Sequence, residues 1–263
     1  MRIDGVQVHG DSGQPVLLLP GGAEACDGFF PGLPEGLRVY PGCRVIVHDR
    51  PGTGASVVNG SLAEAASQLN SLIDDLGCGP VVVVGQSLGG AVALLLARDH
   101  PENVAGVVLL DPTPINEPRV CARLEGIMRK LTPLISIPVV HKALSALMQA
   151  SIKRPMRGLR PDCAAALARS AGADLLQLAR AVRGITELSA GFREADLPRI
   201  PSVVVTADRK PSATIRQAHA RLADALGASL VCWPGATHTV HLDHPDETLA
   251  AVRELVGCVG AAS

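Results

Sequence analysis

The sequence predicts an α/β fold built on a mostly parallel sheet, with a helical segment inserted before its last strands. Three observations carry this. Short β-branched runs alternate with helical stretches, the grammar of βαβ units. The runs are apolar at nearly every position, as strands covered on both faces are. The alternation then lapses between Pro112 and Ala195.

Taken in order, Val16–Leu19, Arg44–Val47, Val81–Val84, Val107–Leu110, Val203–Val205 and Leu230–Cys232 read as six buried strands, and Val6–His9 as a short one before them. Between them, Ser61–Leu76 reads as a helix. Leu62, Ala65, Ala66, Leu69, Leu72, Ile73 and Leu76 share one face, Ser61 with Glu64 forms a capping box, and Gly77 is the stop. Ser212–Leu226 repeats the pattern with Gly227 as its stop, and Pro245, Asp246 and Glu247 open a last helix. Residues 112–195 have no strand pattern, several helix-like pieces and many prolines, Pro133, Pro138 and Pro155 among them. Pro133 and Pro138 are expected to interrupt the apolar stretch Leu131–Met148. The domain reading is a core of residues 1–111 and 196–263, with 112–195 as a helical cap over a pocket, preferred to a lid that touches a membrane.

Composition narrows the function classes. The chain has 263 residues, is 47% hydrophobic and 19% charged, and carries a formal net charge of -1. That supports a sizeable core and excludes disorder. No basic block or stripe is present, so no nucleic-acid partner is expected. No apolar run is long enough to span a bilayer, and Met1–Gln7 has no apolar leader core, so neither an integral membrane segment nor an exported form is expected. The seven cysteines are scattered without CxxC spacing and read as buried free thiols in a reducing cytoplasm. No His/Asp/Glu cluster has ligand spacing, so no metal and no cofactor are expected.

The chemistry-bearing signal is Gly85-Gln86-Ser87-Leu88-Gly89, lying directly between a predicted strand and the helical run Ala91–Arg98. A G-x-S-x-G at a strand-to-helix turn is a nucleophile elbow: the sharp turn exposes the serine hydroxyl and demands small neighbours, here Gly85, Gly89 and Gly90. Serine needs a base to take its proton. Of eight histidines, His238 follows a late strand and can reach the same sheet edge; His241 and His244 are its nearest rivals, while His100 and His219 are expected to face solvent. An oxyanion needs preorganised N–H donors. The backbone N–H of Leu88 is one candidate, and Gly22 in Pro20-Gly21-Gly22-Ala23 is the other.

These motifs, with His48-Asp49-Arg50-Pro51-Gly52-Thr53-Gly54 and Gly235-Ala236-Thr237-His238 followed by His241-Leu242-Asp243-His244-Pro245, resemble those of the α/β-hydrolase superfamily over nearly the whole chain except the cap. The resemblance implies an α/β-hydrolase-type sheet and loop-fixing roles for Asp49 and Arg50. It also implies acyl transfer to water rather than the chemistry of relatives that carry aspartate at the elbow. Pro20 stands where many members have histidine. The family places the acid of the triad after either of two strands; Asp111, which directly ends Val107–Leu110, is preferred to Asp208, which lies two residues early on the later strand. The expected activity is a serine carboxylesterase acting on a small or medium apolar acyl ester. The alternatives are a C–C bond hydrolase or lyase of the same fold and a ligand-sensing receptor with a vestigial triad. The oligomeric state is not legible.

Overall fold

The computed structural model describes residues 6–151, 158–172 and 174–262. Residues 1–5, where a leader would begin, and Pro155 lie outside them. Seven strands form one sheet: β1 (Val6–His9), β2 (Pro15–Leu19), β3 (Arg44–His48), β4 (Val81–Gln86), β5 (Val104–Leu110), β6 (Ser202–Thr206) and β7 (Ser229–Cys232). Their order is β1-β3-β2-β4-β5-β6-β7. Only β1 is antiparallel to its neighbour; the other five pairings are parallel.

Side chains alternate across the sheet, so each apolar strand feeds two cores. Leu17, Leu19, Val81, Val83, Val107, Leu109 and Val204 face one of them. There they meet α2 (Ala65–Leu76), α3 (Leu88–Asp99) and α9 (Thr214–Leu226). Val16, Leu18, Val45, Val47, Val82, Val84, Val108 and Val205 face the other, under α1 (Leu33–Val39) and α11 (Pro245–Ala262). This is why the strands read as continuous apolar runs: neither face is wet.

Local signals and structure differ at several boundaries. α2 begins at Ala65 rather than Ser61. Ser61 Oγ still bonds Glu64 Oε2 at 2.8 Å, but residues 62–64 form a turn, so the pair braces the approach to the helix instead of capping it. α9 starts at Thr214 rather than Ser212. Gly77 and Gly227 do end α2 and α9, at φ 56° and 70° in the left-handed region that favours glycine.

Between β5 and β6 run α4 (Pro118–Ile135), α5 (Pro138–Ser151), α6 (Pro161–Ser170), α7 (Leu175–Ala181) and α8 (Ile185–Gly191). Pro133 does not stop α4 where it stands; the helix runs on to Ile135, and Pro138 opens α5, a position where its missing N–H costs nothing. Glu125 of α4 accepts from the backbone N–H groups of Gly184 (2.8 Å) and Thr186 (3.0 Å), capping α8. α10 (Val240–Asp243) is a single turn beside α11.

Candidate active site

Because β2, β4, β5, β6 and β7 are parallel, their carboxyl ends lie along one edge. The loops that leave that edge carry Gly22, Ser87, Asp111, Arg209 and His238. Such an edge is where open α/β sheets bind ligands.

Ser87 sits in the β4–α3 turn at φ 49°, ψ -117°, a strained backbone for any residue but glycine. The turn is possible because its neighbours have no side chains: a Cβ on Gly85 would lie 2.5 Å from Gly89 O, and one on Gly90 would lie 2.7 Å from Pro112 Cβ. Ser87 N–H donates to Leu110 O at 3.1 Å, and Ser87 O accepts from Thr113 N at 2.8 Å. The turn is thus clamped by the residues on either side of Asp111.

The hydroxyl of Ser87 lies 2.9 Å from His238 Nε2, and His238 Nδ1 lies 2.6 Å from Asp111 Oδ2. Gln86 fixes the histidine loop by donating from Nε2 to His238 O at 2.8 Å. Asp111 is buried and also adopts positive φ, 44°. Its Oδ1 accepts from Ala207 N (2.9 Å) and Arg209 Nη1 (2.5 Å), and its Oδ2 from Arg209 Nη2 (2.6 Å). Burial would raise its pKa, but these donors and His238 outweigh burial and hold the carboxyl well below the usual carboxylate range.

Asp208 is turned away from His238. Its Oδ2 accepts from Gly235 N at 2.9 Å, so it braces the loop leading to His238. The rival histidines are elsewhere too. His241 is buried and stacked on Phe29 with ring centroids 4.7 Å apart. His244 Nδ1 lies 3.6 Å from Glu247 Oε1. His219, expected at the surface, is fully buried under the acid. Its Nε2 lies 2.7 Å from Pro112 O, which can only accept, so Nε2 carries the proton and Nδ1 accepts from Thr206 Oγ1 at 2.9 Å. α9 presents its inner face to β6 here, and the buried ring finds its polar partners in the backbone after β5 and the end of β6.

Gly22 and Leu88 come from adjoining segments. Gly89, in the first turn of α3, packs on the backbone of β2's end: a Cβ there would lie 2.5 Å from Pro20 O. Leu88 opens α3, so its N–H is one of those a helix leaves without an internal partner. Gly22 has φ 55°, and its carbonyl accepts from buried Arg50 Nη2 at 3.2 Å. Burial pulls the Arg50 guanidinium down to about 10. Asp49 accepts from Cys26 N at 2.6 Å and Ala55 N at 2.8 Å, so the Asp49-Arg50 turn ties down the Gly-Gly loop.

Sequence pattern does not mark Thr113, Arg209 or His219 as part of the site. Thr113 Oγ1 lies 3.4 Å from Ser87 Oγ. No local signal points to Arg209; its partner is 98 residues away. All seven cysteines are free, but Cys232 is only partly buried and Cys258 is exposed, against the expectation of burial. Among the described residues no helix is long and apolar enough to cross a membrane.

Residues 16–252 match the model of the alpha/beta hydrolase family, and the chain belongs to it. It is 61% identical over 46 residues to lipase LipV of Mycobacterium tuberculosis, a match covering 18% of each chain. It is 41% identical over 104 residues to a pimeloyl-(acyl-carrier protein) methyl ester esterase of Aromatoleum aromaticum, covering 38% of this chain and 37% of that one. The matched stretch thus spans less than half the length of these curated relatives. A thermophilic esterase from Thermogutta terrifontis superposes with a TM-score of 0.74 at 22% identity, over 97% of this chain and 93% of that one. At that identity the likeness speaks to the fold.

Proposed function

We propose that this hydrolase is a serine carboxylesterase working through an acyl-enzyme. The reading rests above all on the unbroken run of hydrogen bonds from Ser87 Oγ through His238 to Asp111. Ser87 Oγ attacks the ester carbonyl as His238 Nε2 takes its proton. The backbone N–H groups of Gly22 and Leu88 receive the oxyanion. Collapse breaks the bond to the alkoxy oxygen, which leaves with the proton from His238. Water, deprotonated by the same imidazole, then attacks the acyl group and frees the acid and Ser87. Asp111 holds the imidazole with Nδ1 protonated and stabilises the imidazolium.

Ester chemistry is favoured by the relatives whose names include esterase and lipase. Residues 112–195 serve as the cap. α7 supports this, since a Cβ on Gly22 would lie 3.3 Å from Leu178 Cδ1, and Gln177 Nε2 donates to Gly54 O at 3.0 Å. A leucine over the oxyanion loop fits an apolar acyl group. The unpaired cysteines fit a reducing compartment. Stoichiometric labelling by a fluorophosphonate and burst release from a short p-nitrophenyl ester test the reading. Both should vanish in Ser87→Ala, whose expected loss in kcat is on the order of 10⁶. Labelling that persists in the variant overturns the assignment.

A further inference from the structure

Six of the eleven large apolar side chains left exposed among the described residues lie on α4, α5 and the turn between them. Ile127 (45% exposed), Leu131 and Leu134 (52%) recur at i, i+4 and i+7 on α4. Ile137 continues the row, and α5 adds Val139 (77%) and Leu147 (67%). Exposed Ala143, Ala146 and Ala150 fill the same side of α5 at helical spacing. The opposite side of α4 is already used: Cys121, Met128 and Ile135 are buried there. α4 therefore has a second apolar stripe that the described residues do not cover, and contiguous exposed apolar surface marks an interaction site.

Charge identifies the occupant. From Pro118 to Ser151 the chain carries five basic side chains, Arg119, Arg123, Arg129, Lys130 and Lys142, and a single acid, in a protein of net charge -1. All five are exposed, and among the described residues none has a carboxylate within 4.0 Å. The acid, Glu125, is turned inward onto Gly184 and Thr186. At about 100° per residue, Arg119, Arg123 and Lys130 flank the exposed stripe on the side away from the core. Apolar residues with basic ones beside them, on helices lying along a surface, suit the boundary between lipid headgroups and acyl chains.

We propose that the outer face of α4 and α5 docks on an anionic phospholipid bilayer, with Ile127, Leu131, Leu134, Val139 and Leu147 entering the surface and Arg123 and Lys130 against the phosphates. A second copy of the chain fits this face less well, because a two-fold contact would set these cations against their own equivalents. The face is tied to the candidate site, since α4 follows the loop that holds Asp111 and Thr113.

Flotation with vesicles tests this without any reliance on catalysis, so failure of the esterase reading leaves it standing. The protein should float with phosphatidylcholine–phosphatidylglycerol vesicles and not with phosphatidylcholine alone. Salt at about 1 M, where the screening length is near 3 Å, should release it. Leu131→Asp with Leu134→Asp, and separately Arg123→Glu with Lys130→Glu, should each weaken binding tenfold or more, with about fivefold expected for each cation lost. These positions are exposed, so circular dichroism and turnover of a soluble ester should match the parent. Absence of flotation, or binding indifferent to both double variants, overturns the proposal. So does a dimer in light scattering that the same substitutions dissolve, because the occupant is then a second copy.

Discussion

Arg209 grips Asp111 with both arms of its guanidinium, at 2.5 and 2.6 Å, while the same Asp111 Oδ2 accepts from His238 Nδ1 at 2.6 Å. A fork of this kind fixes the plane of a carboxylate as no single donor can. The Arg209 carbonyl is itself held by Arg216 Nη1 at 2.5 Å, so the fork is anchored to α9. The carboxylate that faces His238 is therefore positioned by the loop that leaves the strand next to its own.

Arg209→Gln should lower kcat by about 10²-fold with little change in KM, the cost of a misaligned group rather than a lost substrate contact. Arg209→Lys should recover part of it, since it keeps the charge without the fork. Steady-state kinetics on a short p-nitrophenyl ester check this, and an unchanged kcat in Arg209→Gln would show that the fork does not position the acid.

The two carboxylates should separate by orders of magnitude. Asp111→Asn should cost about 10⁴ in kcat and spare the fold, because an amide favours the wrong tautomer of His238. Asp208→Asn touches the brace to Gly235 and a long contact from Cys232 Sγ and should cost about tenfold or less on the same scale. Equal losses in the two variants would contradict the geometry.

Gly21→Ala should damage the site from the other side. A methyl group there would overlap Gln86 Oε1 and stand 3.1 Å from Ser87 Cβ. The amide that must give way is the one that bonds His238 O. A destabilisation of about 1–3 kcal/mol, read by denaturant unfolding, with loss of turnover, is expected.

Stability should fall on acidification. Burial, with His238's charge adding to it and the Phe29 backbone offsetting a little, brings His241 down to about 3, and burial lowers His219 as well. Both rings gain protons near 6.5 in the unfolded chain but not in the fold. The unfolded state thus binds more protons below that pH, so stability drops as pH falls through about 6.5, by about 1.4 kcal/mol per unit for His241, with His219 acting in the same direction. For His241 the loss continues to about 3. Asp111 adds to it only below the ordinary carboxylate range, since its folded pKa is depressed. Melting followed by circular dichroism at about pH 7.5 and about pH 4.5 should show the fall, and His241→Phe should shrink it. A melting temperature that does not move contradicts this.

Residues that act through their immediate neighbours are legible in the sequence alone. The apolar runs of β2 to β6 declare strands covered on two faces, whereas β7, read as buried, is an edge strand and only partly buried. Gly85-Gln86-Ser87-Leu88-Gly89 declares a sharp turn, because small residues are needed within a few positions of one another. Gly77 and Gly227 declare helix ends for the same local reason. The residues that surround Asp111 carry no such mark. His219 lies on a helix whose polar and apolar faces look ordinary, and Arg209 stands in a loop like any surface arginine. Their partners are Pro112, Thr206 and Asp111, and those contacts exist only because β5 and β6 lie side by side with Leu110 opposite Val205. Hydrophobic periodicity and turn chemistry are short-range and can be read along a chain. Which carboxylate meets the imidazole depends on strand order and register, and those are settled only when the sheet closes over its two cores.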